Sequence, residues 1–437
     1  MKNLPICDII NKISVNIIER NVGVMAKIAV LGYGVVGSGT VEVFYKNKEN
    51  LEKKAGESLD IKYILDVRDF PDSPYADKFV KDFNIILNDP EVGVIAEVIG
   101  GLKYSYGYVK SALEAGKSVV TSNKELVAAK GAELLAIAKE KNVNFFFEAS
   151  VGGGIPIIKP IHACLEANEI DEIAGILNGT TNFILTKMIR EGMDFADALK
   201  IAQELGYAEH DPTADVEGID ACRKICILAS LAFGRHVYPD NVHTEGITKV
   251  TLRDVEYMES FGAKIKLIGC ARREDNDEIS IGVFPAVIKD ESQLAGVNDV
   301  FNAILVRGDA TGDVVFYGKG AGKLPTASAV VSDIVSAVKH SDTSRSLTWS
   351  DSDQSFVRPF ERFMCGNYIR FTAKNADAAK ASVKEVFGNV EYLSSKNQPE
   401  NELAFVTGVM SEKEAVDACG KMAESAEVTA RIRVLDY

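Results

Sequence analysis

The stretch KIAVLGYGVVGSG, residues 27–39, decides how the chain begins to fold. KIAVL is a short apolar run of the kind that makes a fully buried strand, and it stops at glycines. Gly32, Gly34 and Gly37 then form G-x-G-x-x-G, and the residues from Val35 onward, VVGSGTVEVFYKN, read as a helix. In a strand–turn–helix of this kind Gly32 permits the tight turn and Gly34 lets the backbone approach a pyrophosphate. Gly37 lets helix and strand pack closely, and the phosphate charge rests on the helix N-terminus. Tyr33, Val35 and Val36 complete the cradle. Without that context the motif would be no more than a glycine turn; with it, the chemistry indicated is dinucleotide binding.

Working outward, strand-like and helix-like runs alternate. IKYILDVRD (61–69), VGVIAEVIGG (92–101), SVVTSNK (118–124) and VNFFFEAS (143–150) read as strands, with helices in YGYVKSALEAG and ELVAAKGAELLAIAKEK. That alternation predicts an α/β fold with a Rossmann-type doubly wound parallel sheet over residues 25–151. Asp66 and Arg68 both lie near the end of the second strand. An acid there suits a free ribose 2′-hydroxyl and an arginine suits a 2′-phosphate, so the pattern argues for NAD(P) without choosing between the two.

After Gly152 the pattern changes to a mixed α+β substrate domain, expected over 152–315. It contains three β-like runs, AKIKLIGCARR, ISIGVFPAVI and FNAILVRGDATGDVVFYGKG. Residues of about 316–340, including a helix that starts at a proline in LPTASAVVSDIVSAV, are expected to complete the nucleotide domain. A polar stretch over 341–361 reads as a linker. Residues 362–437 follow the order βαββαβ, a ferredoxin-like module. Residues 1–24 lack the features of a signal peptide and read as an extension, either a short helix or an artefact of an early start codon.

The 437 residues carry a formal net charge of −14 with no basic cluster, which disfavours nucleic-acid and anionic-membrane partners. No apolar run approaches the roughly 20 residues of a membrane span. Seven scattered cysteines fit neither a zinc nor a disulfide framework and read as reduced thiols in a cytoplasmic protein.

The chemistry concentrates in GYAEHDPTADVEGIDACRK, residues 206–224, with five carboxylates ahead of Lys224. Asp220 and Lys224 are one helical turn apart and share a face, and ICILASLAF beyond them is apolar nearly all round. A helix so apolar is buried, so its charged first turns are expected to line a cleft. Acids around a lysine can grip an ammonium group and hold a proton donor beside it. On an open surface the same pair would contribute only about 0.3–0.5 kcal/mol.

These phrases, with AVLGYGVVGSGTV, EVIGG, VVTSNKELVA, FEASVGGGIPII, LNGTTNFIL and GKGAGKLPTASAVVSDI, closely resemble homoserine dehydrogenases from Met25 nearly to the end. The resemblance implies NAD(P)-dependent interconversion of L-homoserine and L-aspartate 4-semialdehyde, on the branch to threonine and methionine. It implies Lys224 as proton donor, Lys124 as a second site lysine reaching coenzyme and substrate, and Glu209 and Asp220, supported by Asp215, as ligands of the substrate's ammonium and hydroxyl. Gly100, Gly179 of NGTTN, and Gly320 and Gly322 would lie along the coenzyme with Arg68. A monovalent cation, sodium, would be held by Glu148 with backbone oxygens of Val151, Gly153 and Ile155. His210 stands where many relatives have proline. Residues 362–437 resemble an ACT domain, which in this family often binds threonine, but lack the glycine that commonly opens its first helix. A homodimer or homotetramer is the assembly the resemblance implies, with 152–315 serving as a substrate and dimerisation domain. An aspartate-semialdehyde dehydrogenase would need a cysteine nucleophile, and no cysteine sits in a suitable motif. A non-catalytic NAD(P)- and amino-acid-sensing regulator remains the alternative, though it would have no use for a proton donor.

Overall fold

Six short strands, β1 (Ala26–Leu31), β2 (Leu59–Leu65), β3 (Phe79–Val80), β4 (Val92–Glu97), β5 (Ser118–Thr121) and β6 (Phe145–Phe146), form one sheet in the order β3-β2-β1-β4-β5-β6. Every pairing in it is parallel. The computed structural model describes residues 25–345, 347–373, 375–396, 398–422 and 426–437; the expected 1–24 extension lies outside them. Ile28, Ala29, Val30 and Leu31 of β1 are fully buried, as a strand covered on both faces requires. Helices α1 (Val35–Lys46), α2 (Ser105–Glu114) and α3 (Lys124–Glu140) make the crossovers. Apolar residues of the late helix Lys323–Lys339, among them Val330, Ile334 and Val338, join the core that holds Ile28, Val30 and Phe44. The order of strands reverses between β1 and β4, where a doubly wound sheet opens its ligand crevice at the strands' carboxyl ends.

By their contacts, the described residues from 25 to 126, with those of Glu133–Ala149 and Thr326–Leu347, make one unit. Val127–Ala132, Ser150–Pro325 and Thr348–Tyr437 make a second. The second unit is built on an 11-stranded sheet. Its strands are β7 (Ile170–Ile176), β8 (His243–Thr244), β9 (Ala263–Arg273), β10 (Ile279–Lys289), β11 (Phe301–Gly308), β12 (Gly312–Lys319), β13 (Met364–Ala373), β14 (Val390–Leu393), β15 (Glu402–Thr407), β16 (Met410–Ser411) and β17 (Ala426–Leu435). The main path runs β12-β11-β7-β9-β10-β17-β13-β15-β14.

The run FNAILVRGDATGDVVFYGKG, expected as one strand-like segment, is a hairpin, because Gly312 takes φ 65° and turns β11 back as β12. Helices α4 (Gly179–Glu191), α5 (Phe195–Glu204), α6 (Ile219–Phe233) and α7 (Leu252–Phe261) cover this part of the unit. Helix α6 is buried from Asp220 to Ser230 except at Arg223. Its Ile225 fits against Gly269 of β9, where an added Cβ would come within 3.3 Å.

The C-terminal residues follow β13, α8 (Ala376–Phe387), β14, β15, α9 (Glu412–Met422) and β17, the βαββαβ order expected of them. Residues 152–315 and 362–437, expected as separate domains, share one sheet because β10 pairs with β17 through Ala286–Ile288 and Arg433–Leu435. The polar 341–361 stretch, expected as a linker, is anchored: Trp349 is 6% exposed and donates its Nε1–H to His236 at 2.8 Å.

Candidate active site

In the first unit, the glycines of residues 32–37 separate into two kinds. A Cβ on Gly37 would lie 1.9 Å from the Gly32 carbonyl oxygen, so close packing of α1 on the turn requires glycine there. Gly32 takes φ 96°. Gly34, by contrast, has no atom of the described residues within 4 Å of where its Cβ would be. Among the described residues nothing forbids a side chain at Gly34, and the space above the start of α1 is open, as a pyrophosphate cradle would require.

The carboxylate of Asp66, just past the end of β2, accepts from the Tyr33 backbone N–H at 2.8 Å and from Arg68 Nε at 3.0 Å and Nη2 at 2.9 Å. The Arg68 guanidinium holds that carboxyl down, to about 2. Arg68 itself is 58% exposed and lies over the Phe70 ring.

Sequence reasoning passed over Glu97 at the end of β4. It is fully buried, and its Oε1 accepts from the N–H groups of Ile99 and Gly100 and from Ser105 Oγ, while Oε2 accepts from Thr121 at 2.6 Å. One carboxylate therefore shapes the carboxyl ends of both β4 and β5. Asn123 caps α3, accepting from Leu126 N–H, and donates to the Gly101 carbonyl at 2.6 Å. Lys124, half-buried, is the first residue of α3 and so is fixed at the carboxyl end of β5. Gly100 lies in the turn that Glu97 holds, at φ 84°.

In the second unit the structure brings Asp215, Asp220 and Lys224 together through a residue that was not singled out, Asn178. Its Nδ2 donates to Asp215 at 2.7 Å and to Asp220 at 2.9 Å, while its Oδ1 caps α4 by accepting from Thr181 N–H. Lys224 Nζ lies 2.8 Å from Asp220 Oδ2 and donates to the Leu177 carbonyl at 2.8 Å. Lys224 is only 7% exposed and Asp220 5%. The ammonium is turned inward, at the point where β7 passes into α4.

Glu209 is not part of this hydrogen-bonded set. It is exposed, in the loop between α5 and the short helix Thr213–Val216, and that loop is tied to α4 by Thr180 Oγ1 donating to the Tyr207 carbonyl at 2.7 Å. His210 is exposed in the same loop. Asp211 caps Thr213 and Glu217 accepts from Thr248, both local roles.

Gly179 opens α4, and a Cβ on it would lie 2.8 Å from the Val300 carbonyl oxygen. Gly320 and Gly322 follow β12, in a loop that interlocks with residues 152–155: Gly154 N–H donates to the Lys319 carbonyl, and a Cβ on Gly153 would lie 2.3 Å from the Gly320 oxygen. Val151 and Ile155 are buried in this loop of the second unit, while Glu148, 4% exposed, belongs to the first unit, where its N–H donates to Asp333. Among the described residues no three His, Cys, Asp or Glu side chains group to hold a metal ion, and no helix is long and apolar enough to cross a membrane.

Two family models match: the homoserine dehydrogenase NAD-binding domain over residues 32–148 and the homoserine dehydrogenase domain over 156–335. The chain is 41% identical to the homoserine dehydrogenase of Pseudomonas aeruginosa over 389 residues, covering 86% of this chain and 89% of that one. It is 40% identical to that of Bacillus subtilis over 368 residues, covering 83% and 84%. Among solved structures, a homoserine dehydrogenase from Thiobacillus denitrificans superposes with a TM-score of 0.87 at 37% identity, covering 94% of this chain and 98% of that one. With a parallel nucleotide-binding sheet, an inward lysine among acids and relatives of this similarity over most of its length, the chain belongs to the homoserine dehydrogenase family.

Proposed function

We propose that the chain interconverts L-homoserine and L-aspartate 4-semialdehyde with NAD(P), in the synthesis of threonine and methionine. The observation that carries this is the chain Asp215–Asn178–Asp220–Lys224, buried from Asn178 to Lys224, each link between 2.7 and 2.9 Å. The residues present fit the coenzyme: Gly34 leaves open room where a Cβ would intrude, and Gly37 is committed to helix packing. When bound, the coenzyme supplies or accepts the hydride. The residues do the rest. Asp220, with Glu209 and with Asp215 in support, holds the ammonium and hydroxyl of the amino acid. Lys224 moves the hydroxyl proton, giving it to the developing alkoxide in one direction and taking it in the other. Its position is fixed on two sides, by Asp220 and by the Leu177 carbonyl, so little rotamer freedom is left to lose at the reacting atom. Lys124, at the crevice edge of the first unit, serves substrate and coenzyme.

Asp66 is engaged by Arg68 and Tyr33, while Arg68 keeps most of its surface. That pairing suits both coenzymes, and KM values for NAD and NADP measured side by side decide the preference. One solved relative, a hyperthermophilic archaeal homoserine dehydrogenase mutant, was determined in complex with NADPH. Glu148 and the oxygens of Val151, Gly153 and Ile155 are proposed to hold a sodium ion, the 362–437 module to be ACT-like with threonine as its effector, the assembly to be a homodimer or homotetramer, and the compartment to be the cytoplasm. The test is coenzyme reduction followed by absorbance on adding L-homoserine, with and without sodium and threonine. Homoserine-dependent reduction is expected; dinucleotide binding with no turnover would replace the enzyme by a sensor.

A further inference from the structure

Arg433 of β17 is 3% exposed, and its guanidinium forks onto Glu412 of α9, Nε to Oε1 at 2.7 Å and Nη2 to Oε2 at 3.0 Å. That fork satisfies the charge, and the backbone pairing of β17 with β10 already docks the strand. The third arm reaches out of the C-terminal module: Nη1 donates to Glu245 at 2.7 Å. Glu245 directly follows β8, a strand of two residues, and its own N–H donates to the Val283 carbonyl of β10 at 2.8 Å.

The residues after Glu245 meet the turn that separates two of the site acids. Ile247 N–H donates to the Val216 carbonyl at 2.8 Å, and Thr248 Oγ1 donates to Glu217 at 3.2 Å. A Cβ on Gly246 would lie 2.1 Å from the Val216 oxygen, and one on Gly218, at φ 81°, would lie 3.2 Å from the Thr244 side chain. Segment 244–248 and turn 216–218 therefore touch backbone to backbone, with glycines where they cross. Asp215 precedes this turn and Asp220 follows it, and Asn178 joins the two. Packing this close passes a shift of one segment on to the other.

We infer that Glu245, gripped by Arg433, is a positioning residue for the amino-acid substrate: through segment 244–248 the C-terminal module holds in place the turn that carries Asp215 and leads to Asp220. The inference rests on the proposed role of those two acids in binding the amino acid. Docking of the module does not explain the bond, since Arg433 is neutralised by Glu412 without it and β17 is paired without it. A two-residue strand gives little hold of its own, so the side-chain grip is what fixes the segment that braces the acids.

The test is Glu245→Ala, which leaves Arg433 on Glu412 and so strands no buried charge. At saturating coenzyme its KM for L-homoserine should rise about 3–10-fold with kcat little changed, inside the roughly 2–30-fold by which residues away from a ligand tune its affinity. Dinucleotide affinity by calorimetric titration should equal wild type, because the pyrophosphate cradle belongs to the first unit while Glu245 and Arg433 belong to the second. Glu245→Gln, whose amide oxygen still accepts from Arg433, should recover most of the loss. In an Arg433→Met background, Glu245→Ala should add nothing further. An unchanged homoserine KM, an equal loss of dinucleotide affinity, or full additivity with Arg433→Met overturns the inference. Should Glu245→Ala misfold, Arg433→Lys, which cannot span both carboxylates, is read by the same two measurements. A wild-type chain without homoserine turnover removes the proposed function instead, so the two failures are distinguishable.

Discussion

Lys224 is held by the Asp220 carboxylate, one turn back on its own helix, and by the Leu177 carbonyl just past β7, and both residues are buried. Lys224→Ala should keep coenzyme affinity and lose about 10²–10⁴ in kcat, the range for removing a general acid; near-normal turnover would take Lys224 out of its role. Lys266 makes a different prediction, because it is fully buried and among the described residues donates to Asn182 Oδ1 and the Val297 carbonyl. Burial, followed by the like charges of Lys264 and Arg190, lowers its pKa from 10.5 to about 7. A lysine lowered in the folded state is protonated in the unfolded chain and neutral in the native one over the interval between those two values. Stability therefore rises with pH there, by at most about 1.4 kcal/mol per unit. Urea unfolding of wild type against Lys266→Met at pH 7 and pH 9 should show the wild type gaining relative to the variant at the higher pH. An equal difference at both would mean the amine is charged throughout. The pairing of Asp220 with Lys224 was legible because charged residues on an apolar helix stand out in sequence, whereas Glu209, named from the same stretch, stays exposed in its loop. Asn178 was not, since an asparagine before a helix reads as a cap; its Oδ1 does cap, and only the folded chain shows Nδ2 joining Asp215 to Asp220.

Within the β1–turn–α1 element, the motif reads as three equivalent glycines, yet the backbone needs only two of them for itself. Gly37→Ala drives a methyl into the Gly32 carbonyl and should destabilise the apo-protein as well as coenzyme binding. Gly34→Ala meets no atom of the described residues within 4 Å, so its melting temperature should stay at the wild-type value while dinucleotide affinity falls at least 10-fold, about 1.4 kcal/mol. Thermal melts and titrations of the two variants decide it; a Gly34→Ala protein that binds normally would mean no pyrophosphate approaches there. The strands and helices of this sheet were predictable from alternation of apolar runs and turn residues. The role of Glu97 was not, because one acid inside EVIGG gives no sign that it will be enclosed and gather donors from two strand ends.

Across the second unit, the C-terminal module is held to the rest by more than β10 and β17. Asp254, fully buried on α7, accepts from Arg370 Nε at 2.9 Å and from the Tyr368 hydroxyl, both on β13, and from Thr251 at the start of its own helix. Arg370 also reaches Glu402 on β15 at 3.1 Å, and Glu402 accepts from Arg253 and Tyr257 of α7. The charges alternate in sign and are enclosed, so removing one leaves the next uncompensated. The linear order of the sequence suggested a detachable module behind a linker, because no local pattern reports a parallel pairing between residues almost 150 positions apart. Asp254→Ala should therefore cost about 3–5 kcal/mol, the penalty for breaking a buried ion pair from one side. It should also lower the stability of residues 152–315 and of the C-terminal module together. Hydrogen exchange read separately over β9 and over β15 tests this: protection lost in both strands is the expected result. Loss confined to β15, with β9 and homoserine turnover untouched, would mean that the module folds and fails on its own and that the shared sheet does not couple them.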